Sequence, residues 1–306
     1  MQIQEGIQVN LRYAAVDVFT DTRFEGNPLA VVLDAEDLSS LQMQKIAVEF
    51  GFAETTFVLP PSAQESTARV RIFTPEREIP FAGHPNIGTA FVLAKEVARR
   101  GASIPDTIVL EQIAGPVSIS FLKDKSVVTG AELVTPESFS IYSKVSASSA
   151  ALCLSVDSND VRTVSHEPQI ASVGLPFLIV ELTTRDALRR CKPNPVGFGA
   201  LLPLDGAASV YAYTRDVGSS TSPCDIEARM FTKRMTEDPA TGSAAAAASA
   251  LIANADGVAD LSLLVGQGAD MGRPGLIYTD VQTTTHGVFV RLGGHCVSVM
   301  EGTLHL

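Results

Sequence analysis

Two short strings half a chain apart constrain this sequence more than any other feature. His84-Pro85-Asn86-Ile87-Gly88-Thr89-Ala90 reads H-P-x-x-G-T-A. Asp238-Pro239-Ala240-Thr241-Gly242-Ser243-Ala244 reads D-P-x-x-G-S-A, 154 residues later in a chain of 306. Arg71-Ile72-Phe73-Thr74 precedes the first string as Arg229-Met230-Phe231-Thr232 precedes the second. Downstream, Gln112…Gly115-Pro116 is echoed by Gln267-Gly268…Gly272-Arg273-Pro274. With the Gln and the Gly/Pro of that last pair counted separately, four landmarks in one order point to a duplicated unit.

Local pattern gives each unit the same order of strand, loop, one long helix and further strands. Val/Ile/Phe-rich runs bounded by Gly, Pro or Asp read as strands at 12–19, 55–59, 69–74, 107–112 and 116–122. In the second half they fall at 177–182, 209–214, 227–232, 287–292 and 296–301. Residues 85–100 read as a helix, with Pro85 in the first turn and Gly101 at the stop. Arg99 and Arg100 suit its negative C-terminal end and are read as structural. Residues 239–253 read likewise, with Pro239 near the first helical position, and 40–50 form an ordinary amphipathic helix closed by Gly51. The alanines at 244–248 suit a helix buried on all sides by a closely approaching sheet. The Ser-rich stretch 135–150 reads as a linker. These elements predict an α+β chain of two pseudo-symmetric β-barrel-like domains, 1–134 and 146–306, each wrapped round a central helix. The last strands are expected to cross back to the first domain.

Composition removes other classes. Hydrophobic residues at 45% against 19% charged argue for a packed core and against disorder. A net charge of −11 leaves no electrostatic footprint for nucleic acid or an anionic membrane. No apolar run reaches transmembrane length, and the opening MQIQEGIQVNLRYAAVDVF carries no secretory pattern, so a cytoplasmic setting is expected. Cys153, Cys191, Cys224 and Cys296 have no metal-ligand spacing and read as reduced thiols. The histidines show no zinc pattern, so no metal is expected.

The chemistry is expected in the repeated loops. A helix N-terminus offers unpaired N–H groups and a partial positive charge, which attract carboxylates. Gly88 and Gly242 would allow close backbone approach, and Thr89 and Ser243 would supply hydroxyls. The leading residues differ, His84 against Asp238. Capping has no need of that difference, whereas acid–base chemistry on an asymmetric substrate does. Glu54 sits between a helix stop and a hydrophobic strand, where partial burial would raise its ordinary pKa of about 4.3 toward proton shuttling. Asn27, in Gly26-Asn27-Pro28, either orients substrate or closes a turn.

Further strings carry a resemblance. They are Val16-Asp17-Val18-Phe19-Thr20, Phe24-Glu25-Gly26-Asn27-Pro28, Ala53-Glu54-Thr55-Thr56-Phe57, Phe81-Ala82-Gly83-His84-Pro85, Glu237-Asp238-Pro239-Ala240-Thr241-Gly242-Ser243 and Met271-Gly272-Arg273-Pro274. With them the chain resembles, from about residue 12 to its end, the phenazine-biosynthesis PhzF family of isomerases, within the diaminopimelate-epimerase fold superfamily. The resemblance implies a cofactor-free isomerase moving a proton between carbons of a small carboxylated ring, of the dihydro-hydroxyanthranilate type. It puts the catalytic glutamate on Glu54 and accompanying polar residues on His84, Asp238 and Ser243. Asn27, Gly83, Gly88, Thr89, Thr241 and Gly242 are the expected substrate-binding residues, and a homodimer is implied. Racemases of the superfamily use two cysteines; neither loop here holds one, so two-thiol racemisation is not expected. Epimerisation or elimination on the same scaffold, and small-molecule binding without turnover, are the alternatives.

Overall fold

Strands form where the apolar runs stood, and each long helix follows a two-residue strand and a tight turn. The computed structural model describes residues 10–218 and 223–306; the first nine residues, read above for a leader, lie outside them. The first series runs β1 (Asn10–Val18), β2 (Asn27–Val32), α1 (Ser40–Phe50), β3 (Glu54–Leu59), β4 (Ala68–Phe73), β5 (Glu78–Ile79), α2 (Gly83–Arg99), β6 (Thr107–Gln112), β7 (Gly115–Asp124) and β8 (Val127–Val134). The second runs β9 (Ser140–Lys144), α3 (Ala147–Leu154), β10 (Gln169–Ser172), β11 (Pro176–Glu181), α4 (Arg185–Arg190), α5 (Pro195–Leu201) and β12 (Val210–Thr214). It continues with β13 (Ile226–Phe231), β14 (Glu237–Asp238), α6 (Gly242–Asp256), β15 (Asp260–Gln267), β16 (Gly275–Thr284) and β17 (Gly287–His305).

The pairing closes a barrel round each long helix. In the first, β1 pairs antiparallel with β2, β2 parallel with β3, β3 antiparallel with β4, and β4 parallel with β6. A β6–β7–β8 meander then meets β17, which returns to β1. The second follows the same order: β10 with β11, parallel β11–β12, antiparallel β12–β13, parallel β13–β15, then a β15–β16–β17 meander. Two arms pass between the barrels. The 19-residue β17 pairs with β16 at its start and with β1 from Cys296 onward. Conversely, residues 135–139 bond to β17 through Thr135 N–H to Val290 O (2.9 Å) and Phe139 N–H to Val288 O (2.7 Å), and β9 then pairs with β10. The expected linker at 135–150 is therefore corrected: it is barrel wall and the start of α3. Its Ser-rich pattern hid a strand whose partners are remote in sequence.

Both central helices are buried along most of their length. Ala244 to Ala248 are fully buried, small enough to let β10, β11, β15, β16 and β17 close round α6. One apolar cluster runs through both barrels, from Ile87 and Phe91 to Leu251 and Ile252. Helix α1 packs outside the first barrel on Met43, Ile46 and Ala47, and α3, α4 and α5 cover the second. Among the described residues no helix is long and apolar enough to cross a membrane.

Candidate active site

The two central helices begin against each other. A side-chain carbon added at Gly83 would lie 3.5 Å from the amide nitrogen of Ser243 and 3.8 Å from the carbonyl carbon of Gly242. Both N-caps, Ala82 and Thr241, lack a side-chain hydrogen bond into their helix. The remaining helices α1, α3, α4 and α5 are capped by Ser39, Ser146, Thr184 and Asn194. Two positive helix ends thus meet without the caps used elsewhere, a setting that favours an anion.

The approach to each helix is strapped by the same ion pair. Arg71 grips Glu78 through Nε (2.7 Å) and Nη2 (2.6 Å) while lying over the Phe73 ring. Arg229 grips Glu237 at 2.8 and 2.6 Å over Phe231. These straps set the register between the halves. Gly83-His84 opens α2 as Gly242-Ser243 opens α6, and Ile79 on β5 holds the place that Asp238 holds on β14. The sequence pairing of His84 with Asp238 is corrected accordingly: His84 lies in the first helical turn, while Asp238 lies on a strand ahead of its helix. Pro239 likewise stands before α6 rather than at its first turn.

Five polar side chains converge at this junction. Gly51 ends α1 in the left-handed region (φ 65°), and after Phe52-Ala53 the chain enters β3 at Glu54. The Glu54 side chain is 18% exposed, that of His84 6%. Glu54 Oε2 stands 3.4 Å from His84 Nε2, and neither atom has a hydrogen-bond partner among the described residues. Asn27, fully buried at the start of β2, donates from Nδ2 to Asp238 Oδ1 (3.0 Å) and to Ala240 O (2.8 Å). The same nitrogen lies 3.3 Å from His84 Nδ1. Asn27 therefore touches both halves rather than only closing a turn. Thr241 donates its hydroxyl to Asp238 Oδ2.

Burial governs the titration of these groups. Burial, and then the Asp238 carboxylate, push Glu54 up to about 8, against a smaller opposing pull from Arg234. Asp238 is raised to about 6 by burial, offset by the bonds from Thr241 and Asn27. Burial lowers His84 to about 3, leaving a neutral imidazole at pH 7. The set is a protonatable carboxyl beside a neutral ring, with a second carboxylate held by two donors.

Not every expected residue is here. Thr89 is fully buried further along α2, its hydroxyl 2.8 Å from that of Thr56. A methyl at Gly88 would stand 2.6 Å from Leu29 Cδ2 and 2.8 Å from Val18 Cγ2. Both serve helix-to-barrel packing. Conversely, sequence reading missed residues that hold the site. Gln267 accepts from Thr241 N–H (3.1 Å) and donates to Asp238 O (2.8 Å). Arg273 donates to Asp17 Oδ1 (2.6 Å), Gly26 O (2.9 Å) and Glu25 O (3.0 Å), pinning the turn that presents Asn27. Gly26 makes that turn at φ 58°, where an added carbon would lie 2.2 Å from Val18 O. Gln267 and Arg273 stood in the repeated landmarks, and Arg273 also in a string that carries the resemblance, but neither pattern says what they hold. Tyr211 had no signal: its buried hydroxyl lacks a hydrogen-bond partner among the described residues, and burial and then Asp238 raise its pKa. Across the outer face, Arg234 Nε meets Glu76 Oε1 at 2.8 Å, joining the β13–β14 turn to the β4–β5 turn.

Known proteins are similar to this chain over nearly its whole length. The phenazine biosynthesis-like protein family (PhzC-PhzF) matches residues 16–302. An uncharacterised isomerase of Mesorhizobium japonicum is 36% identical over 304 residues, covering 96% of this chain and 98% of the relative. The trans-2,3-dihydro-3-hydroxyanthranilate isomerase of Pseudomonas aeruginosa is 30% identical over 300 residues, covering 96% and 99%. The crystal structure of a Bacillus anthracis phenazine biosynthesis protein of the PhzF family aligns with a TM-score of 0.84 at 25% identity, over 97% of this chain and 100% of that one. The chain belongs to the phenazine biosynthesis-like protein family and is an isomerase of that family.

Proposed function

We propose that the chain moves a proton between two carbons of a small carboxylated cyclic substrate, without a cofactor, using Glu54 as the shuttle. The observation that carries this reading is the pair of orphaned buried atoms, Glu54 Oε2 and His84 Nε2, 3.4 Å apart beside two uncapped helix starts. Burying polar atoms without partners costs free energy, and such a cost persists where a ligand supplies the missing bonds.

The substrate carboxylate is held by the first amides of α6 at Gly242 and Ser243, with the Ser243 hydroxyl beside them. Ionised Glu54 takes a proton from the carbon activated by the conjugated system, and the electron pair delocalises toward the ring substituents. Protonated Glu54 then returns the proton to a second carbon of the same system. Fixed donors at the helix starts stabilise the charge that develops between these steps. A carboxyl near pKa 8 suits both halves of the transfer, because general acid–base groups work best near the operating pH. His84, neutral and with Nδ1 3.3 Å from Asn27 Nδ2, and Asp238 position the ring. The named activity of the Pseudomonas aeruginosa relative supports a substrate of the dihydro-hydroxyanthranilate type. A homodimer and a cytoplasmic setting are part of the same reading.

The test is turnover of trans-2,3-dihydro-3-hydroxyanthranilate in D2O followed by NMR. Wild type is expected to place deuterium on the ring carbon that gains the proton, and Glu54→Gln to lose at least 10²-fold of that rate, the lower end of about 10²–10⁴ for a general base. Undiminished exchange in Glu54→Gln removes the shuttle, and inversion at one carbon without double-bond migration makes the reaction an epimerisation.

A further inference from the structure

A second cavity lies at the far end of α2. Strand β17 pairs with β8 as far as His295↔Gly130 and with β1 from Cys296↔Val18 onward. Past that switch the β8 edge of β17 is open, and the β7–β8 ladder shifts register at Leu122/Lys123. The first barrel is therefore unzipped along one seam. Residues 127–129 and 296–298 line the two sides of a cavity of about 760 Å³ there, within the range of small-molecule sites. Phe91 and Lys95, on α2, also line it.

Two cations converge in this seam. Lys95 Nζ donates to Ser298 Oγ (2.9 Å), and Arg23 Nε donates to Ser298 O (2.8 Å). Among the described residues, neither has a carboxylate within ion-pair distance. Each keeps further N–H donors beyond the one used. Asp21 and Asp124 also border the cavity but are exposed, and Glu132 is 3.5 Å from Arg291. Lys95 is half-buried beside the Phe91 ring, its nitrogen 4.9 Å from the centroid. Burial, and then the neighbouring Arg99, hold its pKa below the usual 10.5, against a smaller opposing pull from Glu301, which is itself paired with Arg99. An incompletely solvated ammonium next to a second cation is a standing cost that an anion would relieve.

We propose that this seam binds a small organic anion, with one carboxylate or phosphate group between Lys95 and Arg23 and an apolar or aromatic body along Phe91, Val128 and Tyr278. The site is separate from the junction of the helices. Lys95 stands eleven residues beyond His84 on α2, about 16 Å at about 1.5 Å per residue.

Isothermal titration calorimetry with phenyl phosphate, benzoate and inorganic phosphate tests the assignment. Phenyl phosphate or benzoate is expected to bind wild type, the tighter of the two identifying the preferred head group, and inorganic phosphate to bind more weakly than phenyl phosphate. Lys95→Met and Arg23→Gln should each weaken binding about tenfold or more, the loss of one charge-assisted bond. Arg23 is exposed on a loop, so its variant reads binding even if Lys95→Met fails to fold. Glu54→Gln should leave this binding unchanged. No binding of either aromatic anion at millimolar concentration overturns the proposal. So does binding that is lost in Glu54→Gln and kept in both cation variants. A change of sedimentation mass in Lys95→Met, with no anion bound by wild type, would assign the seam to contact between copies and likewise overturn it.

Discussion

Glu54 and His84 face each other from unlike elements, the first residue of a strand and the second residue of a helix, 3.4 Å apart from carboxylate oxygen to ring nitrogen. The strand brings its residue in from the barrel wall and the helix from the barrel axis. Neither element alone could hold both groups in one dry space.

Their titration predicts how stability depends on pH. Glu54 is raised from 4.5 to about 8 in the fold, so the folded chain keeps a proton that the unfolded chain releases. Its contribution is fully present below about pH 4.5 and is lost as pH rises toward 8. His84, lowered from 6.5 to about 3, acts in the opposite sense, costing stability as pH falls through that interval. Glu54→Gln should therefore flatten the decline of the melting temperature between pH 5 and pH 8 and leave the variant the more stable protein at the upper end. Parallel curves for the two proteins would show that Glu54 is not held protonated.

The Arg234–Glu76 pair predicts a shift in the activity profile. Arg234 favours ionised Glu54, so Arg234→Gln should move the midpoint of the rising limb of kcat/KM to higher pH. Arg234→Lys should restore most of the wild-type position, and Glu76→Gln should not raise the midpoint. A lower kcat/KM with an unmoved midpoint would mean that Arg234 acts on the substrate and not on Glu54.

Gly88 and Thr89 separate packing from ligand contact. Gly88→Ala drives a methyl into Leu29 and Val18 and should cost about 1–3 kcal/mol in denaturant unfolding. Thr89→Val removes a buried hydroxyl bond to Thr56 and should lower stability while leaving KM unchanged. A raised KM in Thr89→Val would return that residue to the substrate side.

The repeat made the two-barrel fold legible; beyond that, what could be read from the sequence was local. Helix α1 and strand β6 lie at the expected bounds because their signals, Gly51 after an amphipathic run and a β-branched stretch before a turn, need no distant partner. Glu54, His84, Asn27 and Asp238 were legible through motif and turn chemistry, although which atoms would meet was not. The start of α6 was misjudged because Pro239 resembles a first-turn proline, whereas β14 pairing with β13 holds Glu237-Asp238 extended and delays the helix to Gly242. Strand β9 was invisible because its polar surface is stabilised by β10, which no local pattern announces. Tyr211 looks like any strand tyrosine until Asp238 is placed beside it.

The exchange of arms between the barrels has a consequence for the chain as an object to be cut. A break near residue 145 would leave the leading piece without the stave that β17 lays along β1, and the trailing piece without the one that β9 lays along β10. Each fragment would carry an open edge matched only by the other. The halves should therefore be insoluble or unfolded when expressed apart and recover one active species when co-expressed, as a split protein whose reassembly is written into its topology.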